Sequence, residues 1–207
     1  LKLDYSEKGE KTLQEGKLTL DQMNITVSNV TNDSFLIRHN NKCIVKAEGR
    51  ILGKSPIAAN FTFYLDSTNG RFDMAGKISN VSAAQLNALA VPLANTQLQS
   101  FNMRELDFFI SGEDFGSTGR VGMLYDNLFV IFRKKDEVTG VNETKKFLTK
   151  VINKYTLKDS NPGPDGIVRT SHNIKRSRVS SQSFFALIWK TIFTGMQDVM
   201  MKSGRID

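Results

Sequence analysis

A single cysteine, Cys43, stands among the 207 residues, which excludes an internal disulfide and any cysteine-cluster metal site. A buried, unreactive thiol is its expected state. The two histidines, His39 and His172, lie far apart, so no acid–base pair or metal site is read on them, and both are expected at exposed turn or strand positions. Glycine and proline are not in excess, no stretch is of low complexity, and no secretory or transit segment is visible. The chain opens on "LKLDYSEKGE" without Met, as expected of a piece of a longer polypeptide, so it leaves the compartment open. The aromatic closing segment "SFFALIWKTIFTGMQDVMM" is interrupted by Lys190, Thr194, Gln197 and Asp198, which rules it out as a transmembrane helix.

Catalytic constellations are missing too. Glu113 and Asp114 are adjacent, so a strand would point them to opposite faces, the wrong arrangement for a carboxylate pair. "GSTG" at 116–119 has the spacing of neither a nucleophile elbow nor a phosphate loop and reads as a strand-to-strand turn. The expected chemistry is non-enzymatic, with no cofactor and no metal.

What the sequence does contain is β-alternation. In "PIAANFTFYLD" Ile57, Ala59, Phe61, Phe63 and Leu65 share one face, which predicts a half-buried antiparallel strand. "STNG" follows as a hairpin turn, with Asn69-Gly70 suited to positive φ angles, and "RFDMAGKIS" returns with Phe72, Met74, Gly76 and Ile78 on one face. Similar alternation marks residues 17–27, 42–52, 105–114 and 119–127, and "LFVIFRKK" is an apolar run expected to be covered on both faces. One short helix is predicted near 82–91: Ser82 and Gln85 form a capping box, Val81 and Leu86 a staple, and Pro92 sets the end. It would cap one end of the sheet.

Charge divides the chain in two. Residues 1–132 carry 13 Lys and Arg against 14 Asp and Glu, whereas residues 133–207 carry 15 against 7. The expected organisation is a β-groove domain over 1–135 and a basic helical appendage over 136–207. Within the appendage, "NETKKFLTKVINKYTL" predicts an amphipathic helix burying Phe147, Leu148, Val151, Ile152 and Tyr155. An edge strand is expected near 167–178, and a second amphipathic helix from Ser183. Lys175, Arg176 and Arg178 are the candidate contacts to an anionic surface. Stacking aromatics do not accompany these cations, which argues against nucleic acid as a partner.

Phe184, Phe185, Ile188, Trp189, Ile192, Phe193 and Met196 fan over about half the wheel of the last helix, with Leu187 out of place on the polar half. Three readings follow: a lid over the curled sheet, a dock for a partner protein, or contact with a membrane surface. Ile57, Phe61, Phe63, Phe72, Met74, Leu106, Phe108 and Ile110 are the inward residues that would line an apolar groove, or else close on one another as a core.

The stretch "NGRFDMAGKISNVSAAQLNALAVPLANTQLQSFNMRELDFFISGEDFGSTGRVGMLYDNLFVIF" resembles the C-terminal region of the AsmA-like envelope proteins of Gram-negative bacteria, a group related to bridge-like lipid transfer proteins. The strand, the helix with "LNALAVPLA", the strand "LDFFISGEDFGSTG" and the Tyr-x-x-Leu of "GRVGMLYDNLFVIF" carry the likeness, and "SFFALIWKTIFTG" is similar to the closing helix. The resemblance implies an antiparallel sheet curled into a half-pipe or open barrel. It further implies a periplasmic location, with a tether to the inner membrane through an N-terminal segment absent from this chain. The implied role is phospholipid transport, outer-membrane homeostasis or assembly. Expected partners are a phospholipid or other envelope lipid, a membrane surface, the rest of the same chain, or an envelope protein. The alternative is a structural module that docks on an envelope partner without binding lipid.

Overall fold

The computed structural model describes residues 1–8, 14–135, 142–179 and 181–202. The fold is mainly β, as the alternation predicts: an antiparallel meander, not closed into a barrel. Its strands run in chain order as β1 (Leu3–Lys8), β2 (Glu15–Ser28), β3 (Lys42–Ile51), β4 (Ser55–Tyr64), β5 (Phe72–Ser82), β6 (Thr96–Glu113), β7 (Gly116–Lys135) and β8 (Asn142–Thr144). A last strand, β9 (Thr170–Ser177), pairs with the first part of β7, and β8 with its end. Among the described residues, four helices accompany the sheet: α1 (Ser34–His39), α2 (Ala83–Ala94), α3 (Lys146–Val151, continuing as a π turn over Ile152–Thr156) and α4 (Phe184–Met200).

Bulges aim the long strands. The pairing of β2 with β3 shifts between Asp21 and Asn24, where Gln22 takes a positive φ of 52°. The extra residue moves the inward set from Leu18 and Leu20 to Met23 and Ile25, keeping apolar side chains on one face of a bending strand. Three further shifts between Leu98 and Glu105 do the same for β6, whose inward residues Leu98, Phe101, Met103 and Leu106 break strict alternation.

Several local expectations are corrected. Helix α2 passes Pro92 and ends at Asn95, which takes an αL conformation and donates its N–H to the Ala90 and Val91 carbonyls. Proline removes one hydrogen bond, but only one turn of helix remains, and the left-handed cap restores carbonyl partners. The capping box is present, with the Ser82 N–H donating to Gln85 Oε1 at 3.1 Å, and Leu86, Leu89 and Ala90 are buried. The β4–β5 connection spans 65–71 and only Gly70 has a positive φ, so "STNG" is no two-residue hairpin. "GSTG" is not a turn: it opens β7, and the turn is Asp114–Phe115. In "LFVIFRKK" Leu128 and Val130 are buried, whereas Phe129 faces outward and is exposed.

The predicted helix at 142–157 begins as strand β8, and its apolar face is only partly covered, with Val151 and Ile152 half-buried. Leu148 and Tyr155 are exposed, and the Phe147 side chain lies outside the described residues. Polar side chains supply the hydrogen bonds to β7. Asn153 accepts from the Val130 N–H at 2.9 Å and donates to its carbonyl at 2.6 Å, and buried Thr149 accepts from the Phe132 N–H at 3.2 Å. They stand in for a neighbouring strand along the edge of β7, where bare amides would be costly.

The basic C-terminal third shares one core with the sheet. Ile174 of β9 and Leu187, Ile188, Ile192, Met196 and Val199 of α4 join Leu106, Ile110, Val121 and Met123.

Candidate functional site

The inward faces of β3–β6 form cross-strand rows, and the size of their side chains decides where space remains. One row runs Ile25, Ala47, Ala59, Gly76, Phe108 and Val121 through consecutive pairings. Its middle is built of small residues. The next row holds Val45, Phe61, Met74 and Ile110; on the other side stand Ile57, Ile78 and Leu106. Large side chains thus flank a low floor. Gly76 has no side chain, and the Phe108 ring lies where a Cβ would stand.

Helix α4 roofs this trough unevenly. Ser183 caps it, accepting from the Ala186 N–H at 3.1 Å. The Leu187, Thr191 and Gly195 stripe presses on β7 and β9, where a Cβ on Gly195 would overlap Val121 and Ile174. The Thr191 hydroxyl donates to the Leu187 carbonyl at 2.8 Å and so accepts from Ser117 Oγ, 2.7 Å away and buried. Leu187, out of place on the expected polar half, is therefore only 1% exposed. A wheel drawn with one apolar side could not show that two sides of this helix are covered. Ile188, Ile192 and Met196 are buried on its second side, Trp189 and Phe193 are half-buried and stacked with centroids 5.7 Å apart, and Phe185 remains exposed.

Between α4 and β1–β5 the roof does not meet the floor. A partly open cavity of about 270 Å³ remains, lined by 22 residues, all apolar except Tyr5 and Trp189, which carry one polar group each on a largely apolar body. Phe184 forms one end, its ring centroid 6.4 Å from Phe61, 6.0 Å from Phe63 and 4.8 Å from Phe72. One ion pair spans the side: Lys190 of α4 lies 2.8 Å from Glu7 of β1, each about one-fifth exposed. Tyr5 donates to Glu7 at 3.1 Å, and burial, reinforced by the Glu7 carboxylate, pushes its hydroxyl above the ordinary value and keeps it neutral.

No protein-family model, curated protein or solved structure matches this chain.

Of the eight expected groove residues, Ile57, Phe61, Phe63, Met74 and Phe108 line the cavity. Phe72, Leu106 and Ile110 are fully buried beneath α4 as part of the core. Among the expected lid residues Phe184, Phe185, Ile188, Trp189 and Ile192 line it, whereas Phe193 and Met196 do not. The opposite wall, Leu18, Leu20, Met23 and Ile25 of β2 with Val45 and Ala47 of β3, is absent from the sequence-based set. Its signal was present in the alternation of 17–27, but the shift at Asp21–Gln22 hides that both halves face one way. Lys175 and Arg176 are exposed on β9, and Arg178 donates to the Gln182 and Asp114 carbonyls at 2.9 and 3.3 Å.

Among the described residues, no helix is long and apolar enough to cross a membrane, and no group of three or more His, Cys, Asp or Glu could hold a metal ion.

Proposed function

We propose that this chain is a non-catalytic module of an AsmA-like envelope protein that takes an acyl chain into the trough beneath α4. It would serve phospholipid transport, outer-membrane homeostasis or assembly in the periplasm. The observation that supports this is the 270 Å³ apolar cavity over Ala47 and Ala59. An apolar cavity of roughly 150 Å³ already stays dry and binds small hydrocarbons. Each methylene withdrawn from water into it gains about 0.8 kcal/mol. A space of this size takes part of one chain and leaves the headgroup in solvent. The rest of a long groove, and the direction of transport, would belong to the longer polypeptide.

Trp189 is the only tryptophan and lines the cavity, so its fluorescence reports occupancy directly. Brominated single-chain lipids should quench it, and organic extraction of the native protein followed by mass spectrometry should recover a lipid. Trp189 emission unchanged by brominated chains, together with no recovered lipid, would sink the reading. The alternative, a structural module without ligand, has its support in the tight packing of α4 on β7 and β9, which needs no ligand to complete it.

A further inference from the structure

The cavity has a deep end and a shallow end. Among its lining residues Ile51, Ala59, Ile78 and Ile192 are less than one-tenth exposed, whereas Ile25 is 41% and Phe185 44% exposed. The ladder sets the two ends apart along the strands. Leu20 stands opposite Ile51 and Ile57 opposite Ile78, whereas Ile25 stands opposite Ala47, further along β2. Beyond the deep end the way is shut. Ser55, paired with Ile51 and 1% exposed, donates its hydroxyl to the Asn80 carbonyl at 2.7 Å. The Gln85 amide of α2 donates to Ser55 Oγ at 2.8 Å and to the Leu52 carbonyl at 2.9 Å. Gln85 Oε1 accepts from the Ser82 N–H in the capping box, so the start of α2 holds this buried network in place. Val81 and Leu86 join Ile51 and Ile78 in one core. At the shallow end, by contrast, the Ile25 and Phe185 side chains reach water.

We propose that the cavity takes a single acyl chain methyl end first, stopping it at Ile51 and Ile78 and leaving its polar end beside Ile25 and Phe185. The chain is then selected by its length and not by its headgroup. The inference rests on the acyl-chain reading and adds to it the direction of insertion and the residues that set the length. An inverted chain would press its polar end against Ile51 and Ile78. The polar groups behind them, on Ser55 and Gln85, are already spent on Asn80, Leu52, Ser82 and one another. A headgroup buried there would lose its water and gain no partner, which is costly. Among the described residues no charged side chain lines the cavity, so the shallow end has no means of choosing one headgroup over another.

The measurement is displacement of a mid-chain brominated fatty acid from Trp189 by saturated fatty acids of increasing length, below micelle formation. Affinity should tighten about fourfold with each methylene, then level where the methyl end meets Ile51 and Ile78. Ile78→Ala should move the levelling point to longer chains. The first chain past the original point should then bind about fourfold tighter than it does to the parent. Ile78→Val removes one methyl group at little cost to the fold and should move the point the same way by less. Should Ile78→Ala fail to fold, Ile78→Val decides. Ile25→Ala, at the shallow end, should leave the point in place. Lysophosphatidylcholines of the same acyl lengths should level where the free acids do. A point unmoved by the Ile78 changes overturns the inference, as does one that moves with Ile25→Ala or with the headgroup, or affinity that never levels. In each of those cases Trp189 is still quenched and the acyl-chain reading stands. No quenching by any brominated chain removes that reading and the inference with it.

Discussion

The trough has two halves that differ in what fills them. Over β7 and β9 the helix α4 is packed closely, through Leu187, Thr191 and Gly195. Over β1–β5 the same helix presents Ile188, Ile192 and Trp189 to a cavity. The two halves share a strand meander and an apolar inward face. They differ in the sizes of side chains brought opposite one another. On the filled half, Gly195 on the helix lets Val121 and Ile174 of the sheet come close, so small meets large. On the cavity half, Phe108 covers Gly76, but Ala47 and Ala59 leave a low stretch of floor across the space from Ile188, Trp189 and Ile192. Interiors pack close to crystal density, so an apolar space of this size sets the second half apart from the first.

The sharpest way to break the comparison is truncation on the filled half. Leu187→Ala should cost about 3 kcal/mol in urea unfolding, since the buried side chain leaves a cavity that its neighbours close only partly. Gly195→Ala should also destabilise, by about 1–2 kcal/mol, although Ala is the better helix former. The new methyl overlaps Val121 and Ile174, so the helix must move. Ala59→Leu on the cavity half adds more volume, yet it should change stability by less than about 1.5 kcal/mol because it grows into empty space. Its effect should appear in Trp189 quenching by brominated chains, which should be lost. An Ala59→Leu variant as damaged as Gly195→Ala would mean that the halves do not differ.

Smaller effects sharpen the picture. Lys190→Met removes the ion pair to Glu7 that joins α4 to β1 across the cavity, and should cost no more than about 1 kcal/mol, because both groups still reach solvent. Stopped-flow entry of a brominated chain should be faster in that variant, as the side wall is freer. Smallest of all is a local pH response. Asp165 is held down to about 2 by hydrogen bonding from Arg169 and from the Ile167 N–H. Its folded value lies below the unfolded one, so the contribution is present above about pH 4 and is lost as pH falls through about 2. Acid titration by NMR should show the Asp165–Arg169 loop releasing in that window while the Trp189 environment stays unchanged.

Much of the sheet was legible because alternation is a direct image of a half-buried strand. "PIAANFTFYLD" carries its inward face on its surface, and the Ser82–Gln85 box and Val81–Leu86 staple mark the start of α2 without ambiguity. Where alternation slips, reading by period fails: Gln22 in β2 and the steps between Leu98 and Glu105 in β6 turn the strand, and only the partner strand's register shows that both sides of each slip face inward. The edge docking of α3 through Thr149 and Asn153 was hidden for a different reason. Polar residues are read as solvent-facing, and nothing local says that a strand's bare amides wait opposite them. Helix α1 left no periodic signal because it buries nothing.

By itself, then, the sequence determined a mainly β meander with one capped short helix, a segregation of positive charge, and a closing helix too polar to cross a bilayer. These are properties of neighbours along the chain: period, caps, charge and run length. The tertiary structure alone decided that Ala47, Ala59 and Gly76 would share one row, that Leu187 would be buried, and that α4 would fill one half of the trough and only roof the other. Those outcomes depend on which side chains meet across strands far apart in sequence. Packing sums volumes over such meetings, and no single stretch of sequence carries that sum.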